Sequence, residues 1–488
     1  MARPIMLQGT MSNVGKSLLT AALCRIFRQD GYSAAPFKSQ NMALNSFITR
    51  DGLEIGRAQA MQAEAAGLEP SVLMNPILLK PTDDVGSQVI VNGKVRGNMR
   101  AAEYFRHKKE LIPEILAAYN ALAKQHDIIV IEGAGSAAEL NLKADDIVNM
   151  GLAELVDAPV LLVGDIDRGG IFAQLLGTLM LLENDERERI KGLIVNKFRG
   201  DKAIFRSGVE ILEQRGGVPV AGVVPYIKCD IEDEDSLSDK LESRTADGII
   251  DIAVIRLPHI SNYTDFDVFL QYDGVSVRYV TKYTELAEPD MIVIPGTKST
   301  IADMRWLRES GFETAIKKAA SHIPVFGICG GYQMLGRKIA DPVKSEGGGE
   351  IMGIGLLECE TVFAEEKHQT RSSGRFAGIG GILSALSGLR FSGYEIHMGE
   401  TAVNGALLLD CGGTYSGNVY GCYIHGIFDD PDVSAAVVRT LYERKGLRFD
   451  GNAADRGAYK ERQFDILADE VRESLDLELI YKILGQRR

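Results

Sequence analysis

Ile323-Pro-Val-Phe-Gly-Ile-Cys329-Gly-Gly-Tyr-Gln-Met-Leu335 is the stretch from which the fold of this chain is read. Val325 to Ile328 form a short apolar run after a proline, the pattern of a buried parallel strand. Gly330 and Gly331 permit a sharp reversal, and Tyr332 to Lys338 has helix-forming composition. Strand, tight turn and helix around Gly327-x-Cys329-x-Gly331 make a nucleophile elbow with sulfur in place of the serine oxygen. Such a turn lifts the side chain clear of the sheet, and a helix N-terminus behind it favours thiolate over thiol. A buried structural cysteine at a strand end fits the same spacing. A histidine much later in the chain weighs toward catalysis.

Working outward through the C-terminal half, Ile250–Ile255, Val275–Val280 and Met291–Ile294 read as strands. The third ends in Pro295-Gly296-Thr297-Lys298, where Gly296 is placed to offer a backbone N–H to an oxyanion, with the Gly330 N–H as second donor. A plain tight turn competes with that reading. Beyond the elbow the chain is glycine-rich and strand-like through Gly393-Tyr-Glu-Ile-His-Met-Gly399. A strand in Gly417 to Asp429 then delivers His425 at its end. A base remote in sequence from Cys329 and met in space is what thiol activation requires. Helices over 434–444 and 469–484 finish the chain, the last packing on the domain.

The N-terminal half opens with a strand at Pro4–Leu7, the loop Gly9-Thr10-Met-Ser-Asn-Val-Gly15-Lys16-Ser17, and an apolar helix over 18–28. This is a phosphate-binding loop in strand–loop–helix context. Gly9, Thr10 and Gly15 bring backbone N–H groups toward phosphate oxygens, Lys16 reaches the terminal phosphates, and the Ser17 hydroxyl suits Mg²⁺. Five residues rather than four separate Gly9 from Gly15. Lys38, Gln40 and Asn41 follow a strand end, where ligands of open α/β sheets collect, although a solvated loop fits equally. Asp51 and Glu54 are possible metal ligands or ordinary acids before a helix. A helical stretch over 101–124, broken near Pro113, leads to a strand over 127–131. Glu132 directly after that strand is where a Walker-B-like Mg²⁺ ligand belongs. Further strands at 159–163 and 192–195 end in Gly164-Asp165-Ile-Asp167-Arg168 and in Asn196-Lys197. The Asn196 carboxamide suits an adenine edge. A last strand near 218–224 closes this half. Repeated strand–helix units with glycine turns at strand ends predict a doubly wound parallel sheet.

The chain has 488 residues, too many for one core. The formal net charge of −13 argues against non-specific nucleic-acid binding. Six scattered cysteines form no CxxC pair, which suits a reducing cytoplasm rather than a disulfide or zinc framework. The longest apolar run, near 171–182, is interrupted by Gln174 and Gly177 and is too short to span a bilayer.

Gln8 to Ser17, Ala35 to Asn45, Asp51 to Gln59, Asp165 to Phe172, Asn196 to Asp201, Gly393 to Gly399 and Tyr423 to Asp429 together resemble the glutamine-hydrolysing adenosylcobyric acid synthase family of cobalamin biosynthesis, in the same order over almost the whole chain. The long phosphate loop is similar to that of dethiobiotin synthetase. The resemblance implies a synthetase domain over 1–229, an acidic linker over 230–248, a class I glutamine amidotransferase domain over 249–446 and a helical tail over 447–488. It also implies ATP and Mg²⁺ as cofactors, with a corrinoid, glutamine and ATP as the small-molecule substrates. The expected reaction amidates the b, d, e and g side-chain carboxylates of adenosylcobyrinic acid a,c-diamide, with Cys329 as nucleophile and His425 as base. One departure matters. Many class I amidotransferases carry a glutamate two residues after the histidine, and here Ile427 stands there. Asp429 is a nearby candidate, and a bare Cys–His pair is equally open. Two other readings compete: the sister synthase acting on the a and c carboxylates, and a partitioning-type P-loop switch or scaffold ATPase with an inactive glutaminase-like module.

Overall fold

The computed structural model describes residues 2–81, 86–231, 248–449, 451 and 456–485. The acidic linker expected over 230–248 lies for the most part outside the described residues. The chain divides into two units: Met1–Ala43 with Glu54–Ser236 and Lys460–Arg488, and Leu44–Leu53 with Leu237–Tyr459.

The first unit is built on six parallel strands in the order Val220–Pro225, Ile190–Phe198, Val160–Asp165, Arg3–Gly9, Ile128–Ser136 and Ala34–Phe37. The central strands carry apolar residues on both faces because helices cover both, as the near-continuous runs Ile5-Met6-Leu7 and Ile128–Ile131 require. The helix Lys16–Gln29 begins directly after the phosphate loop, with Gly15 at φ 90° as its N-cap, a left-handed conformation that glycine adopts without a Cβ penalty. The helical stretch over 101–124 is broken, but before the proline. A 3-10 turn, Lys108–Leu111, separates Ala101–His107 from Ile112–Ala123, and Pro113 sits in the first turn of the latter, where its missing N–H costs nothing. Residues 77–100, for which the sequence predicts no element, form an antiparallel extension, Ile77–Pro81, Gly86–Val91 and Lys94–Arg100, edged by Gln40–Met42.

The C-terminal segment corrects an expectation. From Lys460 onward it belongs to the first unit, not to the domain it follows in sequence. Phe464, Leu467, Ala468, Val471, Ile480 and Tyr481 are buried in the core beneath the helix Lys16–Gln29. Arg25 pairs with Glu461 at 2.7 Å and Asp465 at 2.8 Å, and Tyr481 meets Phe27 edge-on at 5.7 Å. Apolar periodicity announces these helices but not the surface that receives them.

The second unit centres on a seven-stranded sheet in the order Val275–Val280, Ile250–Ile255, Met291–Ile294, Val325–Ile328, Val419–Cys422, Gly412–Ser416 and Ala406–Leu409. The first five run parallel and the last two turn back as antiparallel strands. Beside it lies a second sheet whose long antiparallel pair, Cys359–Arg375 and Arg390–Val403, carries the glycine-rich stretch around His397. Cys329 lies at the carboxyl end of a central strand, the position where open α/β sheets place their ligands.

Candidate active sites of the two units

Cys329 sits at φ 52°, ψ −109°, between the strand Val325–Ile328 and the helix Gly330–Leu335. A non-glycine residue reaches such a conformation only where the surroundings over-determine it. Here the Cys329 N–H donates to Cys422 O at 2.9 Å, and its carbonyl accepts from Gln333 N at 3.1 Å. The turn is this tight because its glycines have no room for a side chain. A Cβ on Gly331 would collide with the Ile294 carbonyl, and one on Gly327 would press on the Gly331 carbonyl. The Cys329 sulfur lies 3.7 Å from the carbonyl of Ile396.

His425 is delivered beside this turn. Its Nδ1 lies 2.7 Å from Asp265 Oδ2, and the other Asp265 oxygen accepts the Gly426 N–H at 3.1 Å. Burial alone would lower the imidazole's proton affinity. The Asp265 carboxylate and the neighbouring Cys329 outweigh it and lift His425 from its ordinary 6.5 to about 10. With Nδ1–H committed to Asp265, Nε2 is left for the thiol. Tyr394 stacks on the ring at 5.3 Å, and its backbone exchanges two hydrogen bonds with that of His425, at 2.9 and 3.1 Å. The stretch Gly393–Gly399 thus walls the site, with Tyr394 over the histidine and Ile396 at the sulfur.

The carboxylate that orients His425 is therefore Asp265. Neither Asp429 nor a bare Cys–His pair describes the site, since Asp265 occupies Nδ1. Asp265 comes from the 3-10 turn Tyr263–Gln271, far from the histidine in sequence. Of the two glycines named as oxyanion donors, Gly330 follows the nucleophile directly and Gly296 lies beside His425. A Cβ on Gly296 would lie 3.1 Å from His425 Cε1, and one on Gly330 would lie 3.1 Å from Thr297 N, so backbone closes around the site where side chains cannot enter.

In the first unit the phosphate loop holds itself in the absence of side-chain caps. Lys16 Nζ donates to Met11 O and Gly135 O, both at 3.2 Å, and Thr10 Oγ1 donates to Gln174. Ser17 Oγ donates to Glu132 Oε1 at 2.9 Å, Lys38 Nζ reaches the same oxygen at 2.7 Å, and Gln62 Nε2 donates to Glu132 Oε2 at 2.6 Å. Burial alone would raise the Glu132 carboxyl, but Lys38, Gln62 and Lys16 hold it below the usual carboxylate range. Gln62 carries no sequence signal: it sits mid-helix without a motif around it.

Asn196 is close to the loop, but its carboxamide is docked there. Nδ2 donates to Val14 O at 2.7 Å, while Lys197 donates to Asn13 O and pairs with Asp165 at 3.2 Å. Asp51 belongs to the other unit. It is exposed in the turn over 49–52. Glu54 is buried and pairs with Lys80 at 2.8 Å. Among the described residues no helix is long and apolar enough to cross a membrane.

Two family models divide the chain along the same line. Residues 5–238 match the CobQ/CobB/MinD/ParA nucleotide binding domain, and residues 251–433 match the CobB/CobQ-like glutamine amidotransferase domain. A cobyric acid synthase of Lachnoclostridium phytofermentans is 57% identical, with 100% of both chains covered. The chain belongs to the cobyric acid synthase family. A family member of Ruminiclostridium cellulolyticum is 55% identical, covering 100% of this chain and 98% of the relative, and one of Citrobacter koseri is 51% identical, covering 100% and 99%. As a member of the cobyric acid synthase family, the chain is a glutamine-dependent amidotransferase ligase of cobalamin biosynthesis. Membership removes the partitioning-type ATPase reading.

Proposed function

We propose that this enzyme amidates the b, d, e and g carboxylates of adenosylcobyrinic acid a,c-diamide, giving adenosylcobyric acid at the expense of ATP and glutamine. The observation that carries the proposal is the ordered trio Asp265, His425 and Cys329 at a strained elbow, in a chain that also bears a nucleotide-binding loop.

A carboxylate is a poor electrophile at neutral pH. Transfer of the γ-phosphoryl group of ATP to one carboxylate oxygen makes an acyl phosphate with phosphate as leaving group, a reaction governed by positioning and charge stabilisation. Lys16 supplies the cation at the terminal phosphates, and the backbone of Gly9, Thr10 and Gly15 supplies N–H groups. Magnesium fits the donor set here. The Ser17 hydroxyl and the Glu132 carboxylate are adjacent hard oxygens, and the buried Oε1 atoms of Gln8 and Gln62 have no hydrogen-bond partner among the described residues. When bound, the ion would neutralise charge on the phosphates. Lys38, now on Glu132, is the group that would re-pair when the cation engages that carboxylate.

In the second unit, His425 takes the Cys329 proton, and the thiolate attacks the carboxamide carbon of glutamine. His425, held by Asp265, then gives a proton to the departing ammonia. Water hydrolyses the thioester to glutamate. The released ammonia displaces phosphate from the acyl phosphate and leaves an amide.

The test is incubation of the enzyme with adenosylcobyrinic acid a,c-diamide, ATP, Mg²⁺ and glutamine, followed by mass spectrometry. Successive carboxylate-to-amide products ending after four support the proposal. Two amidations on cobyrinic acid and none on the a,c-diamide would assign the chain to the sister reaction instead.

A further inference from the structure

Among the described residues, one group of side chains apart from the two sites is arranged as ligands. His368 and His397 stand opposite each other in the antiparallel pair Cys359–Arg375 and Arg390–Val403, just beyond a bulge between Phe363 and His368. Glu395, two residues before His397, shares its face of the strand. One ligand atom from each of the three lies within 4.8 Å of the others.

The hydrogen bonds define which atoms are free to ligate. His397 Nδ1 lies 2.7 Å from the Gly399 carbonyl, which can only accept, so Nδ1 donates there and Nε2 is the ring nitrogen turned toward Glu395. His397 Nε2 lies within hydrogen-bond distance of Glu395 Oε2, at 3.3 Å, and His368 Nε2 is 3.9 Å from the same oxygen. A separation of about 3.3 Å is also the edge of a tetrahedron with metal–ligand bonds of about 2.0–2.1 Å, so the atoms need not move to take an ion. The outer partners fit as well. The His397 N–H bond to a backbone carbonyl and the Ser372 hydroxyl on Glu395 Oε1 are the contacts that orient metal ligands.

We propose that His368, Glu395 and His397 form a binding site for a divalent transition-metal ion of the zinc class, two imidazoles and a carboxylate with the fourth position left to water or an anion. The intervening Ile396 carries the carbonyl that meets Cys329 Sγ, and His397 stacks on Tyr423 at 3.6 Å. An ion bound here fixes the strand that walls the thiol.

The experiment is equilibrium dialysis of the full chain against Co²⁺ at neutral pH, with the visible spectrum recorded. It is done on Cys329→Ala, which removes the competing thiolate. One ion per chain with the absorption of four-coordinate cobalt, and no thiolate charge-transfer band, is expected. Adding His368→Ala should weaken binding by at least the ~10–100-fold that loss of a ligand's outer partner alone costs. His368 is more than half exposed, so its truncation leaves the fold intact, and circular dichroism checks this. Absence of stoichiometric binding, or binding indifferent to His368→Ala, would overturn the proposal.

Discussion

Asp265 Oδ2 lies 2.7 Å from His425 Nδ1, and both side chains are buried, at 5% and 1% exposure. This contact replaces the glutamate two residues after the histidine, whose position Ile427 fills. It fixes the ring's tautomer and sets its charge.

Asp265→Asn keeps the shape and removes the charge. The alkaline limb of the glutaminase pH profile, expected near the about 10 of His425, should move acidward. The ring's folded value lies above its ordinary 6.5. Its stabilising contribution is therefore full below about 6.5 and is lost as pH rises through about 10. The variant should lose that pH-dependent part of its stability in urea titrations. An unmoved alkaline limb would remove Asp265 from its positioning role.

Cys329→Ala should abolish glutamine-dependent amidation while ammonium-driven amidation persists. Loss of both activities with the fold preserved would show that Cys329 is not a dedicated glutaminase residue.

Lys16→Ala should remove amidation from either nitrogen source, because the carboxylate must be activated before ammonia attacks. Glutamine hydrolysis should continue, uncoupled. Normal ammonium-driven turnover in this variant contradicts acyl-phosphate formation at the loop.

Glu132→Gln should abolish amidation and destabilise the first unit by on the order of 3 kcal/mol, since Lys38 loses a buried carboxylate partner. The wild-type carboxyl is held below its ordinary 4.5, so its contribution is present above that value and lost as pH falls beneath it. Urea midpoints of wild type and variant should accordingly converge in acid.

Gly331→Ala tests the elbow's geometry. Its Cβ would meet the Ile294 carbonyl, so the helix Gly330–Leu335 must shift away from the strand Met291–Ile294. Glutamine hydrolysis should fall while ammonium-driven amidation remains. Unaltered glutamine hydrolysis would mean that the turn tolerates relaxation.

The elbow, the phosphate loop and most core strands are legible because their physics is local. A short apolar run that ends in a glycine turn reads as a buried strand, and Gly15-Lys16-Ser17 must sit where it does to meet phosphate. Asp265 is not legible, since the run Tyr263-Thr-Asp-Phe-Asp-Val-Phe also offers Asp267, and no spacing relates either to His425. The nearest signal is a carboxylate between buried aromatics, Tyr263 and Phe266, which demands a polar partner. Asn196 is found by its place at a strand end, yet whether a carboxamide reads a base or braces a loop depends on Val14 across the sheet. Residues 77–100 do carry one local signal, the two-residue turn Asn92-Gly93 between Val91 and Lys94, but their polar, exposed outer strand shows little apolar alternation beside it.

The return of the segment beginning at Lys460 to the first unit has a consequence for biogenesis. During synthesis, the phosphate-loop sheet emerges from the ribosome long before the helices that cover the face around Phe27. Until they arrive, that apolar surface stays open, and each side chain waiting for its partner forgoes about 1.5–3 kcal/mol of burial. The first unit made is thus the last completed. Until the glutaminase half has been translated, the nascent nucleotide-binding half therefore carries an uncovered apolar face, the kind of surface on which unfinished domains aggregate.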